Sequence, residues 1–128
     1  MSKFRILGIS FDHMHMGDLV RAVHDHPGAE IAGIFDPDPA RMARAIQTFA
    51  IPPARVFTDL DACLQTPAEL AILCSAPADH ARHTDLIAAR GLHVFVEKPF
   101  AANAADARRM IAAMEAAGKT LVINWPLA

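Results

Sequence analysis

Hydrophobic and polar positions along this chain switch repeatedly between a strand period and a helix period. Phe4 to Ile9 is a short apolar run ending in Gly8-Ile9-Ser10. Met16, Leu19, Val20 and Val23 then recur at i, i+3, i+4 and i+7, one face of a helix that Pro27-Gly28 stops. Glu30 to Phe35 reads as a second strand ending on Asp36. Asp38 is placed to cap a helix with Pro39 at its first position, and Met42, Ala45, Ile46 and Phe49 give that helix an apolar stripe until Pro52-Pro53. Arg55 to Phe57 makes a short third strand, and Thr58 or Asp59 caps a short helix bearing Leu60, Cys63 and Leu64.

The alternation continues to the end of the chain. Leu70 to Cys74 is a fourth strand, broken by Ser75-Ala76-Pro77, and the helix from Asp79 to Arg90 ends at Gly91, a left-handed terminator. Leu92 to Val96 is a fifth strand running into Glu97-Lys98-Pro99. Asn103 with Asp106 resembles a capping box, after which Ala107, Met110, Ile111, Met114 and Ala117 line a helix until Gly118. Leu121 to Asn124 is a sixth strand, closed by Trp125-Pro126. Six apolar strands joined by helices predict an α/β fold in one domain, residues 1–128. The expected architecture is a doubly wound parallel sheet, a Rossmann fold with strand order 3-2-1-4-5-6 and right-handed crossovers.

Composition narrows the partners. Twelve basic and fourteen acidic side chains give a net charge of −2, so no basic excess points to nucleic acid or to an anionic membrane. No apolar run reaches transmembrane length, and MSKFRILGIS lacks the apolar stretch of a signal peptide. Cys63 and Cys74 follow no metal-ligand spacing and read as buried thiols of a reducing compartment, which predicts a cytoplasmic protein.

In such a sheet, ligands sit beyond the carboxyl ends of the strands, so the chemistry belongs at the strand exits. After the first strand a G-x-G-x-x-G frame reads Gly8-Ile9-Ser10-Phe11-Asp12-His13, with only its first glycine present. Ser10 is small enough for a phosphate to approach and adds a hydroxyl donor. His13 in the third glycine's place pushes helix and strand apart, and Asp12 repels a pyrophosphate unless it points away. Asp36 ends the second strand near the ~20-residue spacing expected of the acid that grips a ribose 2′-OH. A carboxylate there repels a 2′-phosphate and so favours NAD over NADP, with Arg41 near enough to soften the preference. The competing reading makes Asp36-Pro37-Asp38-Pro39 only a turn and a cap. Asp12, His13 and His15, with His24 and His26 a helix away, also invite a metal reading. A histidine-rich, phosphate-facing loop is preferred to it, in which protonated His13 or His15 offsets Asp12 or else caps the helix or stays solvated. His80 is expected near the cofactor, His83 in packing or at the surface, and His93 with a local partner. Glu97-Lys98 by itself reads more readily as a solvated pair at a strand end than as a ligand-facing group.

Taken in order, the alternating βα pattern, Asp36, the His80 segment and Glu97-Lys98-Pro99 resemble the Gfo/Idh/MocA family of NAD(P)-dependent oxidoreductases. The resemblance covers the family's N-terminal Rossmann domain. Its most specific piece, Gly91 to Pro99, is similar to the signature G-K-H-V-x-x-E-K-P, with Leu92 in the lysine position. The likeness implies that the Ser75-Ala76-Pro77 turn packs along the cofactor and that His80 opens the next helix beside it. It also implies that Glu97 approaches the nicotinamide ribose, that Asn124 lies near the nicotinamide, and that Lys98 assists hydride transfer at the substrate oxygen.

The resemblance has two departures: the degraded glycine frame, and an end at Ala128 where the family's substrate-binding domain would begin. The expectation is therefore a cofactor-binding chain, derived from an enzyme of sugars, polyols or related hydroxy compounds, with little or no turnover alone. A homo-oligomer or a missing C-terminal domain would cover Trp125 and the sheet edge. A non-catalytic ligand-binding or interaction module of the same fold remains the other reading.

Overall fold

The computed structural model describes residues 2–12 and 15–124. Six strands form one sheet in the order β3-β2-β1-β4-β5-β6, every pair parallel. They are β1 (Phe4–Ile9), β2 (Ala29–Phe35), β3 (Val56–Phe57), β4 (Leu70–Leu73), β5 (His93–Glu97) and β6 (Leu121–Asn124). The helices are α1 (His15–Asp25), α2 (Ala43–Phe49), α3 (Leu60–Leu64), α4 (His80–Ala89) and α5 (Ala104–Ala117). Among the described residues no helix is long and apolar enough to cross a membrane.

Strand alternation sorts the core into two layers. Leu7 and Ile9 of β1 pack with Leu73, Val94, Val96, Met110 and Met114 on the side of α3, α4 and α5. Ile6 packs with Met16, Val20, Ile31, Ile34 and Ile72 on the side of α1 and α2. Both faces of a parallel sheet must be covered, which explains strands that are apolar on both sides. Met110 is fully buried and Met114 nearly so, and truncating either to alanine carries a cost of about 2–5 kcal/mol.

Local chemistry sets the element ends. Asp59 caps α3 by accepting from the Ala62 N–H, and Asn103 caps α5 by accepting from the Asp106 N–H at 2.8 Å. Gly91 and Gly118 adopt φ of +70° and +67°, the left-handed region in which a side chain is strained.

Several expectations shift: β3 begins at Val56, one residue later than expected, and β5 runs from His93 to Glu97, one residue further along than expected. The helix expected from Asp38 begins as a 3-10 turn at Pro39–Arg41, because the Met42 N–H bonds back to Pro39 and Ala40, and α2 starts only at Ala43. The segment opening α4 likewise enters through a 3-10 turn, Pro77–Asp79. Cys74 lies just past β4, although its N–H still reaches the Ile9 carbonyl at 3.0 Å. Ile111 does not join the buried stripe of α5; it is 44% exposed, one position beyond the arc that Met110 and Met114 occupy. Trp125-Pro126 lies outside the described residues.

Candidate functional site at the strand exits

The strand order reverses direction between β1 and β4, and the crevice of such a sheet opens there, past the carboxyl ends. The turn after β1 is built tightly. Gly8 faces α1, where an alanine methyl would meet Ile34 and Met16 at 3.4–3.5 Å, ordinary contact. Ser10, in the frame's second glycine position, is buried with φ +71°, and its N–H donates to the Phe35 carbonyl at 2.8 Å. A serine there carries a left-handed strain that glycine avoids.

Asp36 is fully buried at the end of β2. Its Oδ2 accepts the Phe11 N–H at 2.7 Å and its Oδ1 accepts the Asp38 N–H at 2.8 Å. The carboxylate thus ties the β1 turn to the β2 exit. Asp12 forms an ion pair with Arg41 and accepts the Ala76 N–H at 3.3 Å, linking the exits of β1 and β4. Among the described residues, Arg41 is thus a cation paired with Asp12. The expectation that His15 offsets Asp12 is corrected: the first residue of α1 turns towards β5, and its Nδ1 lies 3.0 Å from Glu97 Oε1. His13 lies outside the described residues.

Glu97 ends β5 almost fully buried, opposite Asn124 of β6 in register. Asn124 Nδ2 donates to Glu97 Oε2 at 2.6 Å, so His15 and Asn124 each engage one carboxylate oxygen. Lys98 follows at once and is exposed, and the Lys98–Pro99 peptide bond is cis. A buried acid and an exposed ammonium therefore sit side by side at one strand end, which replaces the picture of a solvated pair.

The exit of β4 is held by two histidines. His80, 1% exposed, lies with Nε2 2.8 Å from the Ser75 carbonyl and Nδ1 2.8 Å from the Phe100 carbonyl. His83 is also buried, its Nδ1 2.8 Å from the Ser75 hydroxyl. Burial pushes His83 down to about 4, helped by the positive charge of Arg82 and opposed by Asp79. His83 is thus a buried partner of the Ser75 turn, a role no local sequence signal announced. His93 accepts the Thr120 N–H at 2.9 Å. Burial raises Cys63 and Cys74 to about 12, with Glu97 adding to the rise at Cys74.

A hollow of about 470 Å³ opens beside Phe11, between α1 and α2, with Arg21, Arg41 and Arg44 on its walls. Among the described predicted site residues, only Phe11 lines it. Among the described residues no three His, Cys, Asp or Glu side chains gather as a metal site.

The sequence pattern of an oxidoreductase family with an NAD-binding Rossmann fold matches residues 3–125. D-apiose dehydrogenase of Paraburkholderia graminis is 32% identical over 126 residues, 95% of this chain and 32% of that protein. Inositol 2-dehydrogenase of Paracoccus denitrificans is 41% identical over 96 residues, 74% of this chain and 28% of that protein. The chain therefore spans about a third of the length of these curated relatives. Among solved structures, the WlbA dehydrogenase of Bordetella pertussis, in complex with NADH and UDP-GlcNAcA, superposes with a TM-score of 0.85 at 26% identity, covering 95% of this chain and 35% of that one. An oxidoreductase of Agrobacterium radiobacter in complex with NAD+, L-tartaric acid and magnesium gives a TM-score of 0.87 at 24% identity, covering 96% and 35%, and shows the shared fold.

Proposed function

The chain belongs to the Gfo/Idh/MocA oxidoreductase family, over that family's NAD-binding Rossmann fold, and from this we infer that it is the dinucleotide-binding part of a dehydrogenase acting on sugars, polyols or related hydroxy compounds. The observation that carries the reading is the convergence of the Ser10 turn, the Ser75 turn and Glu97-Lys98 at the exits of adjacent strands β1, β4 and β5. The dehydrogenase names of the relatives, on apiose and inositol, support the substrate class.

When bound, the nicotinamide supplies the hydride-accepting carbon. The chain's own residues then have separable tasks. The turn from Gly8 to Asp12, which His13 follows in the sequence, is assigned to the pyrophosphate, with Arg41 neutralising Asp12. Asp36 at the β2 exit disfavours a 2′-phosphate by like charge, so NAD is preferred to NADP. Ser75, Ala76 and Pro77 wall the cofactor on the β4 side, with His80 fixing their turn. Glu97, held by Asn124 and His15, keeps the β5 exit in place beside the nicotinamide ribose. Lys98, exposed at that exit, takes the hydroxyl proton from the substrate oxygen on its unprotonated amine as the hydride leaves the adjacent carbon. These 128 residues alone are expected to bind cofactor with little or no turnover. The two free, buried thiols suit a reducing cytoplasmic setting.

A second reading, a non-catalytic module of the same fold, is favoured by the N–H groups of Ser10, Phe11 and Ala76, which already donate within the protein. Calorimetric titration with NAD and NADP separates the two. NAD binding tighter than NADP, and weakened by Asp36→Ala, supports the dinucleotide reading; no binding of either at millimolar concentration supports the module.

A further inference from the structure

His80 sits in surroundings that a neutral imidazole does not satisfy. Both of its ring nitrogens face backbone carbonyl oxygens at 2.8 Å, and the residue is 1% exposed. A carbonyl oxygen only accepts. A neutral ring donates from one nitrogen, which leaves the bare lone pair of the other against an oxygen at hydrogen-bond distance, with little water to relieve it. A ring protonated on both nitrogens donates to both carbonyls, in charge-assisted bonds.

We propose that His80 is a positioning residue, held as an imidazolium, which clamps the Ser75 turn after β4 to Phe100, two residues beyond Lys98. The two carbonyls belong to segments leaving neighbouring strands, β4 and β5, so one ring sets the spacing between the cofactor wall and the lysine. Of the charges that act on the neighbouring His83, Asp79 and Asp12 favour a cation and Arg82 opposes one. His83, one turn further along α4, is neutral at physiological pH and pairs with the hydroxyl of the same Ser75, so the second imidazole adds no positive charge. Where the clamp acts on cofactor, it rests on the dinucleotide reading above; the charge on the ring does not.

The test is nitrogen-15 NMR of the histidine rings in the wild-type chain at pH 7, with NAD titrations of the wild type and of His80→Gln. Two protonated ring nitrogens at His80, beside one protonated and one bare nitrogen at His83, are expected. A bare His80 nitrogen overturns the clamp even if every variant fails to fold. Glutamine donates from one end only, and about tenfold weaker NAD binding is expected from the loss of one charge-assisted bond; unchanged affinity overturns the positioning role. Failure of the wild type to bind NAD overturns the dinucleotide reading and the clamp's role towards cofactor, while the ring shifts decide the clamp's charge separately.

Discussion

Asn124 donates its side-chain N–H to Glu97 Oε2 at 2.6 Å, joining the last residues of β5 and β6 across the register of the sheet. Glu97 is 1% exposed, so this bond helps keep a buried carboxylate tolerable at the edge of the fold. Asn124→Ala removes it and is expected to lower unfolding free energy by about 1–3 kcal/mol, read from urea denaturation. An unchanged midpoint would mean that His15 and the other surroundings of Glu97 suffice.

Ser10 occupies a left-handed conformation in the place where the dinucleotide fingerprint carries glycine. Ser10→Gly is expected to raise stability by roughly 1 kcal/mol by removing the Cβ strain, although added unfolded-chain freedom offsets part of the gain. Ser10→Val, branched at Cβ, is expected to lower stability. Paired thermal melts of the two variants check the sign.

His83 supplies a pH dependence. Its folded-state value, about 4, lies below the unfolded value near 6.5. The unfolded chain therefore binds the extra proton between these values, and the contribution of neutral, buried His83 is fully present above about pH 6.5 and declines as pH falls towards 4. Its maximal size is on the order of 3 kcal/mol. His83→Gln is expected to flatten the stability profile across that window, and denaturant midpoints from pH 4 to 7 provide the comparison.

Cys63 and Cys74 are buried thiols, both raised to about 12. Since the thiolate is the nucleophile, neither is expected to react with iodoacetamide at pH 8 in the folded protein, and both should react once it is denatured. Mass spectrometry of the alkylated chain reads this directly; rapid labelling of the native protein would contradict the burial.

Much of the architecture was legible because its signals are local. Asp59 and Asn103 as caps, Gly91 and Gly118 as terminators, and the runs of apolar residues at strand or helix spacing each depend on neighbours a few residues away. Once six parallel strands alternate with helices, right-handed crossovers leave few sheet orders, and the order 3-2-1-4-5-6 is the one observed. The boundary shifts at Pro39 and Ile111 reflect tighter turns and a narrower buried arc than periodicity alone conveys.

The strand exits behaved differently. Positions such as Asp36 and Glu97 stood out in the sequence as candidate ligand groups, but their partners did not. Asp36 bonds to Phe11, Asp12 pairs with Arg41, His15 turns to Glu97 and His80 spans Ser75 and Phe100. Most of these contacts join segments separated by one or more whole βα units, and they form only after the sheet has aligned the carboxyl ends of its strands. A charged side chain's reach admits many partners, and local spacing cannot choose among them. Periodicity was enough for the scaffold because each element buries its own apolar face. Which donor meets which acceptor depends on distances that exist only when β1, β4 and β5 lie side by side.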